Sequence, residues 1–153
     1  MRTAYRIGKT KHADDALSGQ GARNVGARWH HKGAPIVYCA TTLSLAALEV
    51  FVHFGMQEKA IAFSSIEISI PDGLVSILSS ADLPTDWRDV PPPRSTADIG
   101  SQWLANKRSA VLQVPSAVTL GEYNYLLNPA HPDFPKINAS PPKPYTFDPR
   151  MWK

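Results

Sequence analysis

The stretch from Leu43 to Phe54 restricts the fold of this chain more than any other, because nearly every residue in it is apolar. An apolar run of this length that follows threonines is typical of a helix. Thr41 or Thr42 can accept hydrogen bonds from the free N–H groups of the first helical turn. The pattern predicts a helix that is buried on most of its faces, preceded by a glycine turn and a short strand that ends near Tyr38.

Two side chains in this predicted helix can ionise, Glu49 and His53, and their spacing of four residues puts them on one face. A carboxylate among apolar residues is costly unless a partner compensates its charge. We therefore expect Arg28, Tyr38 and Glu49 to form a polar pocket between the strand and the helix. The plainer alternatives are a structural salt bridge between Arg28 and Glu49, or a local pair of Glu49 with His53.

The helix follows two short motifs in a fixed order. Gly26–His30 reads Gly-Ala-Arg-Trp-His, Gly33–Tyr38 reads Gly-Ala-Pro-Ile-Val-Tyr, and Ala47–Glu49 within the helix reads Ala-Leu-Glu. Together they resemble the first block of the RES-domain toxins, a family named for an arginine, a glutamate and a serine. Two positions depart from the family pattern: Ala27 stands in place of a glycine, and His30 in place of an asparagine.

The third residue of the family name corresponds to Ser116, and a closing block follows at Glu122–His131. The resemblance extends from Tyr5 to Arg150, which is almost the whole chain. It implies an α+β fold of the ADP-ribosyltransferase type, with a split β-sheet, flanking helices and a cleft for NAD. We expect residues 1–153 to form this one domain.

The resemblance also implies a reaction and a role for each site residue. Breaking the nicotinamide–ribose bond of NAD+ develops positive charge on the ribose, as in glycoside cleavage, and a carboxylate stabilises that charge. By the resemblance, Glu49 acts on the ribose and Arg28 binds the anionic part of the dinucleotide. Tyr38 then binds the nicotinamide, and Ser116 binds the ribose or the nicotinamide. Taken without the resemblance, Tyr38 is equally a core residue and Ser116 a turn residue after a proline.

Three functions stay open at this point. The first is a toxin of a toxin–antitoxin pair that consumes NAD+, with phosphate or water as the acceptor of ADP-ribose. The second is a toxin that transfers ADP-ribose to a protein, and the third is a module that binds a nucleotide without turning it over. The resemblance implies NAD+ as the substrate and an Xre-like antitoxin as the partner.

Composition excludes several other classes of function. The net charge is +3 and the Lys and Arg residues are scattered, so no nucleic-acid-binding run is visible. The single cysteine, Cys39, permits no internal disulfide. His30 and His31 are adjacent and would face opposite ways on a strand, so no metal site is expected. Without a signal peptide or a membrane-spanning apolar run, a cytoplasmic protein is predicted.

The remaining chain predicts short strands and one more helix. Its hydrophobic alternation and turn residues give the following elements: strands at Thr3–Ile7, Ile66–Ile70, Leu74–Leu78, Ser109–Val114 and Glu122–Leu127, and a helix capped by Ser95 that ends near Lys107. Lys9–Gly21 is expected to be an irregular polar loop. The proline-rich segment from Pro129 to Pro149 is expected to be extended, with an edge strand at Tyr145–Phe147.

Overall fold

The computed structural model describes residues 1–54 and 61–152. Within these residues, eight strands belong to one sheet: β1 (Arg2–Lys9), β2 (Val37–Ala40), β3 (Phe63–Ile70), β4 (Val75–Ile77), β5 (Val111–Pro115), β6 (Tyr123–Leu127), β7 (Asn138–Ala139) and β8 (Lys143–Tyr145). The helices are α1 (Gln20–Arg23), α2 (Leu43–Phe54) and α3 (Arg94–Asn106). None of the described helices has the length and apolar character needed to span a membrane.

The sheet is mixed and has the strand order β4-β5-β6-β2-β1-β3-β7, with β8 also paired to β3. Only β4 and β5 run parallel among these pairs. Strands β1 and β3 pair along their whole length, from Arg2 opposite Ile70 to Lys9 opposite Phe63. Strands β1 and β2, in contrast, pair at a single position, Tyr5 opposite Ala40. The sheet therefore splits between β1 and β2, which confirms the predicted α+β fold with a split sheet.

The two faces of the sheet carry different cores. Side chains of successive residues on a strand alternate between faces, so Cys39 and Ala40 point to opposite sides. Cys39 belongs to a cluster with Ile66, Ile68 and Tyr125. On the other side, Ala40 packs with the buried residues of α2. A third cluster joins α3 to β5 and β6, and its buried members are Trp29, Ile36, Trp103, Leu104, Leu112, Val114 and Leu126.

Helix α2 begins as predicted but is less buried than predicted. The Leu45 N–H donates to the Thr42 hydroxyl at 3.1 Å, which confirms Thr42 as a cap. Leu43, Leu48 and Val52, however, are 38%, 37% and 56% exposed. The expectation of burial on most faces was therefore wrong. A run that is apolar throughout has too little contrast between polar and apolar positions to show which side faces water.

Helix α3 starts one residue before the expected cap. Pro93 occupies the cap position, and the Ser95 hydroxyl instead donates to the Asp86 carboxylate at 2.6 Å. The Ser95 cap was therefore wrong, because a tertiary partner in the loop before the helix takes its side chain. Strand β5 begins at Val111 rather than at Ser109. The Ser109 hydroxyl accepts from the Trp103 indole and donates to the Val111 carbonyl, which closes a local turn.

The polar loop and the tail also differ from expectation in detail. Thr10–Asp15 forms a 3₁₀ helix within the segment predicted to be irregular. The last edge strand is Lys143–Tyr145, two residues earlier than predicted, and it pairs with the start of β3. Phe147 leaves the edge and is buried edge-on against Phe63, with ring centroids 5.3 Å apart. An apolar anchor after the strand thus fixes where the pairing ends.

Candidate active site

Glu49 lies on α2, beside Ser116 at the end of β5. It is partly buried, and its carboxylate accepts from the Ser116 hydroxyl over a long 3.4 Å. The Asn124 side-chain amide, on the neighbouring strand β6, lowers the pKa of this carboxyl as a hydrogen-bond donor. Its position on α2 therefore aims the only carboxylate of the helix at the ends of β5 and β6.

The electrostatic balance at Glu49 is set by burial and by four neighbours. Burial raises the pKa of the Glu49 carboxyl above its ordinary value. The hydrogen bonds from Asn124 and Ser116 and the charges of His53 and Arg28 act in the opposite direction. The ionised form is thus partly desolvated but has donors and cations around it. A carboxylate in such a setting can stabilise a positive charge that develops next to it.

Ser116 is completely buried and acts within the protein. Its side chain is 0% exposed, and its oxygen accepts from the Val118 and Thr119 backbone N–H groups at 3.1 and 3.0 Å. Its one hydroxyl hydrogen points to Glu49. The serine therefore shapes the turn after β5 and orients the carboxylate at the same time. The expected turn role of Ser116 is confirmed, and its contact with the ribose or the nicotinamide stays a prediction.

Arg28 is fixed by backbone carbonyl groups and not by Glu49. Its guanidinium donates to the Trp87 carbonyl at 2.7 Å and to the Asp89 carbonyl at 2.9 Å. Within the described residues, no ion pair joins Arg28 to Glu49, so the direct salt bridge considered above was wrong. Burial lowers the pKa of Arg28, and the charge of Glu49 opposes that shift. Arg28 thus acts on Glu49 through space and keeps donors for another partner.

Gly100 of α3 permits the backbone of the Arg28–Trp29 segment to lie directly against the helix. A Cβ at this glycine would clash with the Trp29 carbonyl group, and it would stand 3.3 Å from the Trp29 Cβ. Trp29 itself is 3% exposed and packs into the core under α3. The position of Arg28 therefore depends on close packing between a glycine and a backbone carbonyl.

Tyr38 is the predicted site residue that lines a cleft. The tyrosine hydroxyl lies 2.6 Å from Nδ1 of His30, and burial raises the pKa of this phenol. The residue also lines a cavity of about 690 Å³ at the split of the sheet. A cavity of this size is in the range of small-molecule and cofactor sites. Among the described residues in its wall, Tyr38 belongs to the predicted site set, whereas Glu49, Arg28 and Ser116 do not line the cavity.

The wall of the cavity has a basic side. It includes the side chains of Arg6, Lys9 and His12, together with the acidic Asp15. Arg6 bridges the split, because its guanidinium donates to the Tyr38 carbonyl at 2.8 Å. Strands β1 and β2 pair only at Tyr5 and Ala40 among the described residues, so this hydrogen bond joins the two strands where their backbones are not paired. The cleft thus brings cationic groups and an aromatic ring to one opening.

The family assignment follows from the whole sequence as well as from the site. The sequence profile of the RES domain matches residues 3–148. The chain belongs to the RES domain family. Arg28, Glu49 and Ser116 thus lie within the matched RES domain, as the resemblance implied.

Individual relatives cover nearly the same length as this RES-domain chain. It is 42% identical over 150 residues to "Toxin Res" of Photorhabdus laumondii, a match that covers 97% of this chain and 96% of the relative. It is 39% identical over 146 residues to the "Prs ADP-ribosylating toxin" of a Sphingobium species, covering 94% and 90%. Its fold matches a chain of the M. tuberculosis MbcT–MbcA toxin–antitoxin complex with a TM-score of 0.80 at 20% identity, covering 99% of this chain and 86% of that chain.

Sequence reasoning missed one polar neighbour of Glu49 in this RES domain. Asn124 is 9% exposed and donates to the Cys39 carbonyl at 3.2 Å, and as a hydrogen-bond donor it also lowers the pKa of the Glu49 carboxyl. A single amide in the apolar strand Tyr123–Leu127 was the available signal.

No group of three or more His, Cys, Asp or Glu side chains is placed to hold a metal ion among residues 1–54 and 61–152.

Proposed function

We propose that this RES-domain protein is the toxin of a toxin–antitoxin pair and that it cleaves NAD+ at the nicotinamide–ribose bond. The observation that carries the proposal is the placement of Glu49. A partly buried carboxylate accepts from Ser116 and interacts with the charge of Arg28, which also interacts with Tyr38 in the wall of a cavity of about 690 Å³. The relatives named as toxins supply the biological setting.

The cleavage step needs the groups around Glu49. As the C–N bond to nicotinamide breaks, its electron pair leaves with the neutral nicotinamide and positive charge develops on the ribose carbon. Glu49 stabilises that charge, and the low local polarity strengthens its effect. Ser116 and Asn124 keep the carboxylate in one orientation, so that no reorganisation is needed during the reaction. In this proposal Ser116 meets the ribose only through Glu49.

The rest of the dinucleotide fits the remaining features of the cleft. A flat heteroaromatic ring such as nicotinamide stacks on the ring of Tyr38. The pyrophosphate meets the cationic side of the wall, where Arg6 already bridges the two halves of the sheet. Arg28 keeps free donors toward the ribose and phosphate oxygens, because its two carbonyl contacts use one of its terminal nitrogens.

Two acceptors for the ADP-ribose group divide this proposal. Inorganic phosphate or water can attack the ribose carbon if the cleft is open to solvent, and the basic wall favours an anion. A protein acceptor is favoured by the name of the Sphingobium relative, an ADP-ribosylating toxin. Both reactions use the same bond cleavage and the same Glu49, so the site alone does not separate them.

Product analysis separates the two acceptors. Purified protein is incubated with adenine-labelled NAD+ in phosphate, in chloride of matched ionic strength, and in chloride with cell lysate. If phosphate is the acceptor, NAD+ loss speeds up in phosphate alone and mass spectrometry shows a phosphorylated ADP-ribose. Chloride controls for general screening, which acts alike in both salts. Unchanged loss in phosphate, with label on a protein band after lysate addition, supports transfer to a protein instead.

A cognate antitoxin completes the proposal. A chain that consumes NAD+ harms its own cell unless a partner restrains it, and the matching fold comes from a toxin–antitoxin complex. We propose an Xre-like antitoxin that covers the cleft and offers an acidic group to Arg6 or Arg28. The saturated complex should release no nicotinamide, and full activity in that complex would contradict this form of inhibition.

A further inference from the structure

A buried histidine holds the hydroxyl end of Tyr38. His30 is 1% exposed, and its Nδ1 lies 2.6 Å from the Tyr38 hydroxyl oxygen. Its Nε2 lies 2.8 Å from the Ala22 carbonyl oxygen and 2.9 Å from that of Val25. Both ring nitrogens are thus at hydrogen-bond distance from a partner, and the imidazole has little room to turn.

These partners decide which ring nitrogen carries the hydrogen. A carbonyl oxygen only accepts, so Nε2 must be the donor toward Ala22 and Val25. A neutral imidazole has a single N–H, which these contacts place on Nε2. Nδ1 therefore has a free lone pair, and the Tyr38 hydroxyl donates its hydrogen to it.

The consequence is that Tyr38 has no hydroxyl hydrogen to offer to a ligand. The hydroxyl is thus engaged within the protein by His30. The residue nevertheless lines the cleft. A ligand in the cleft therefore meets the aromatic ring of Tyr38 and not its hydroxyl donor.

We propose that His30 is a positioning residue for Tyr38. It accepts the hydrogen bond from the Tyr38 hydroxyl and thereby fixes the tilt of the tyrosine ring, whose centroid lies 5.5 Å from that of the imidazole. The fixed ring presents its face to a flat heteroaromatic group in the cleft. This inference rests on the proposed function, in which that group is the nicotinamide of NAD+. His30 itself does not touch the ligand.

Substituting His30 distinguishes positioning from filling of the core. Asparagine places its amide oxygen close to the position of Nδ1 and can accept the same hydrogen. Leucine fills a similar volume but has no acceptor. If only volume and stability mattered, leucine would be the better replacement of the two, because an unpaired amide is costly in a buried position.

The first test uses no enzymatic activity. Long-range ¹H–¹⁵N NMR of the full chain reports the tautomer of each of its five histidines, and His30→Asn identifies the His30 signals. We expect the Nε2–H tautomer for His30, and a shifted Nδ1 resonance in Tyr38→Phe. An Nδ1–H tautomer, or an Nδ1 resonance that Tyr38→Phe leaves in place, would overturn the proposal.

The second test is a double-mutant cycle on nicotinamide release. We expect His30→Leu and Tyr38→Phe each to raise KM for NAD+ about tenfold, with kcat changed by less than about threefold, because a ground-state contact is loosened. The double variant should be no worse than either one, since both remove the same bond. His30→Asn should stay within about threefold of the wild-type KM.

Two kinetic results would refute the positioning role. One is a KM for NAD+ that rises about a hundredfold in the double variant, which is the two tenfold effects multiplied, because His30 would then act independently of Tyr38. The other is a His30→Asn variant that is as impaired as His30→Leu. If the wild-type protein releases no nicotinamide, the proposed function fails, while the NMR result still decides whether His30 holds Tyr38. If His30→Leu does not fold, the NMR experiment and the kinetics of His30→Asn still test the proposal.

Discussion

Replacing Glu49 by glutamine removes one negative charge and leaves the size of the side chain unchanged. A unit charge about 4 Å away contributes about 4 kcal/mol at the effective dielectric constant of about 20 that suits a partly buried site. The opposing charge of Arg28, which acts on the same carboxylate, reduces this contribution. We expect a loss of about 3 kcal/mol in transition-state stabilisation, which is a fall of about 10²-fold to 10³-fold in kcat.

The assay follows free nicotinamide released from NAD+ by the wild type and by Glu49→Gln. Glu67→Gln is the matched control, because Glu67 is exposed on β3 and the same atoms change there. The control should keep kcat within about twofold. Thermal melts confirm that both variants are folded. Nicotinamide release by folded Glu49→Gln at a near wild-type rate would refute the role that we assign to this carboxylate.

Three further predictions follow from the same geometry. Arg28→Ala should weaken NAD+ binding, measured by calorimetry in a Glu49→Gln background. Arg28→Lys should not restore binding, because lysine has no planar fork of donors. A lower melting temperature with unchanged affinity would indicate a purely structural arginine. Burial raises the pKa of Glu49 in the folded state, so ionised Glu49 disfavours folding. Glu49→Gln should therefore be more stable than the wild type at neutral pH, and this advantage should shrink as the pH falls through the raised pKa toward the ordinary glutamate value. Thermal melts across that pH window measure the difference. Gly100→Ala should cost about 1–3 kcal/mol in urea unfolding because it presses on Trp29, whereas Gly73→Ala, which has open space, should change stability by less than about 0.5 kcal/mol.

The sequence predicted those parts of the site that depend on local pattern. The helix Leu43–Phe54 and its Thr42 cap follow from an apolar run after threonines, and the structure shows both. The lone carboxylate at Glu49 was visible for the same reason. The predicted strand ends lie within about three residues of the observed ones, because alternation fixes the middle of a strand better than its ends, but the short strand Asn138–Ala139 was not predicted.

The partners of the site residues could not be read from the sequence. Arg28 binds the carbonyl groups of Trp87 and Asp89, about sixty residues away, and backbone carbonyls leave no mark in the sequence. The same holds for the Ser95 hydroxyl, which a tertiary contact with Asp86 draws away from the helix cap. The exposed side of the apolar helix depends on which neighbours cover it. Such facts need the packed structure, since they concern pairs of distant segments.

His30 shows the same limit in a different way. The sequence marked it only as a histidine where the resembled motif has an asparagine. Its role depends on the distances to Tyr38, Ala22 and Val25, which the turn around Gly26 sets. A residue type alone did not indicate whether the ring faced solvent, a metal or a tyrosine. The distances to the Tyr38 hydroxyl and to the two carbonyl oxygens show that the ring faces the tyrosine, and the carbonyl oxygens fix its tautomer.

Identification of the products from NAD+ tests the central claim most directly. The purified wild-type chain is incubated with NAD+, and mass spectrometry measures nicotinamide, nicotinamide mononucleotide and AMP over time, with Glu49→Gln in parallel. The proposed function predicts one nicotinamide for each NAD+ consumed by the wild type, and little from Glu49→Gln. Formation of AMP with nicotinamide mononucleotide would show cleavage of the pyrophosphate instead. Bound but intact NAD+ would show a binding module, and either result would contradict the proposal.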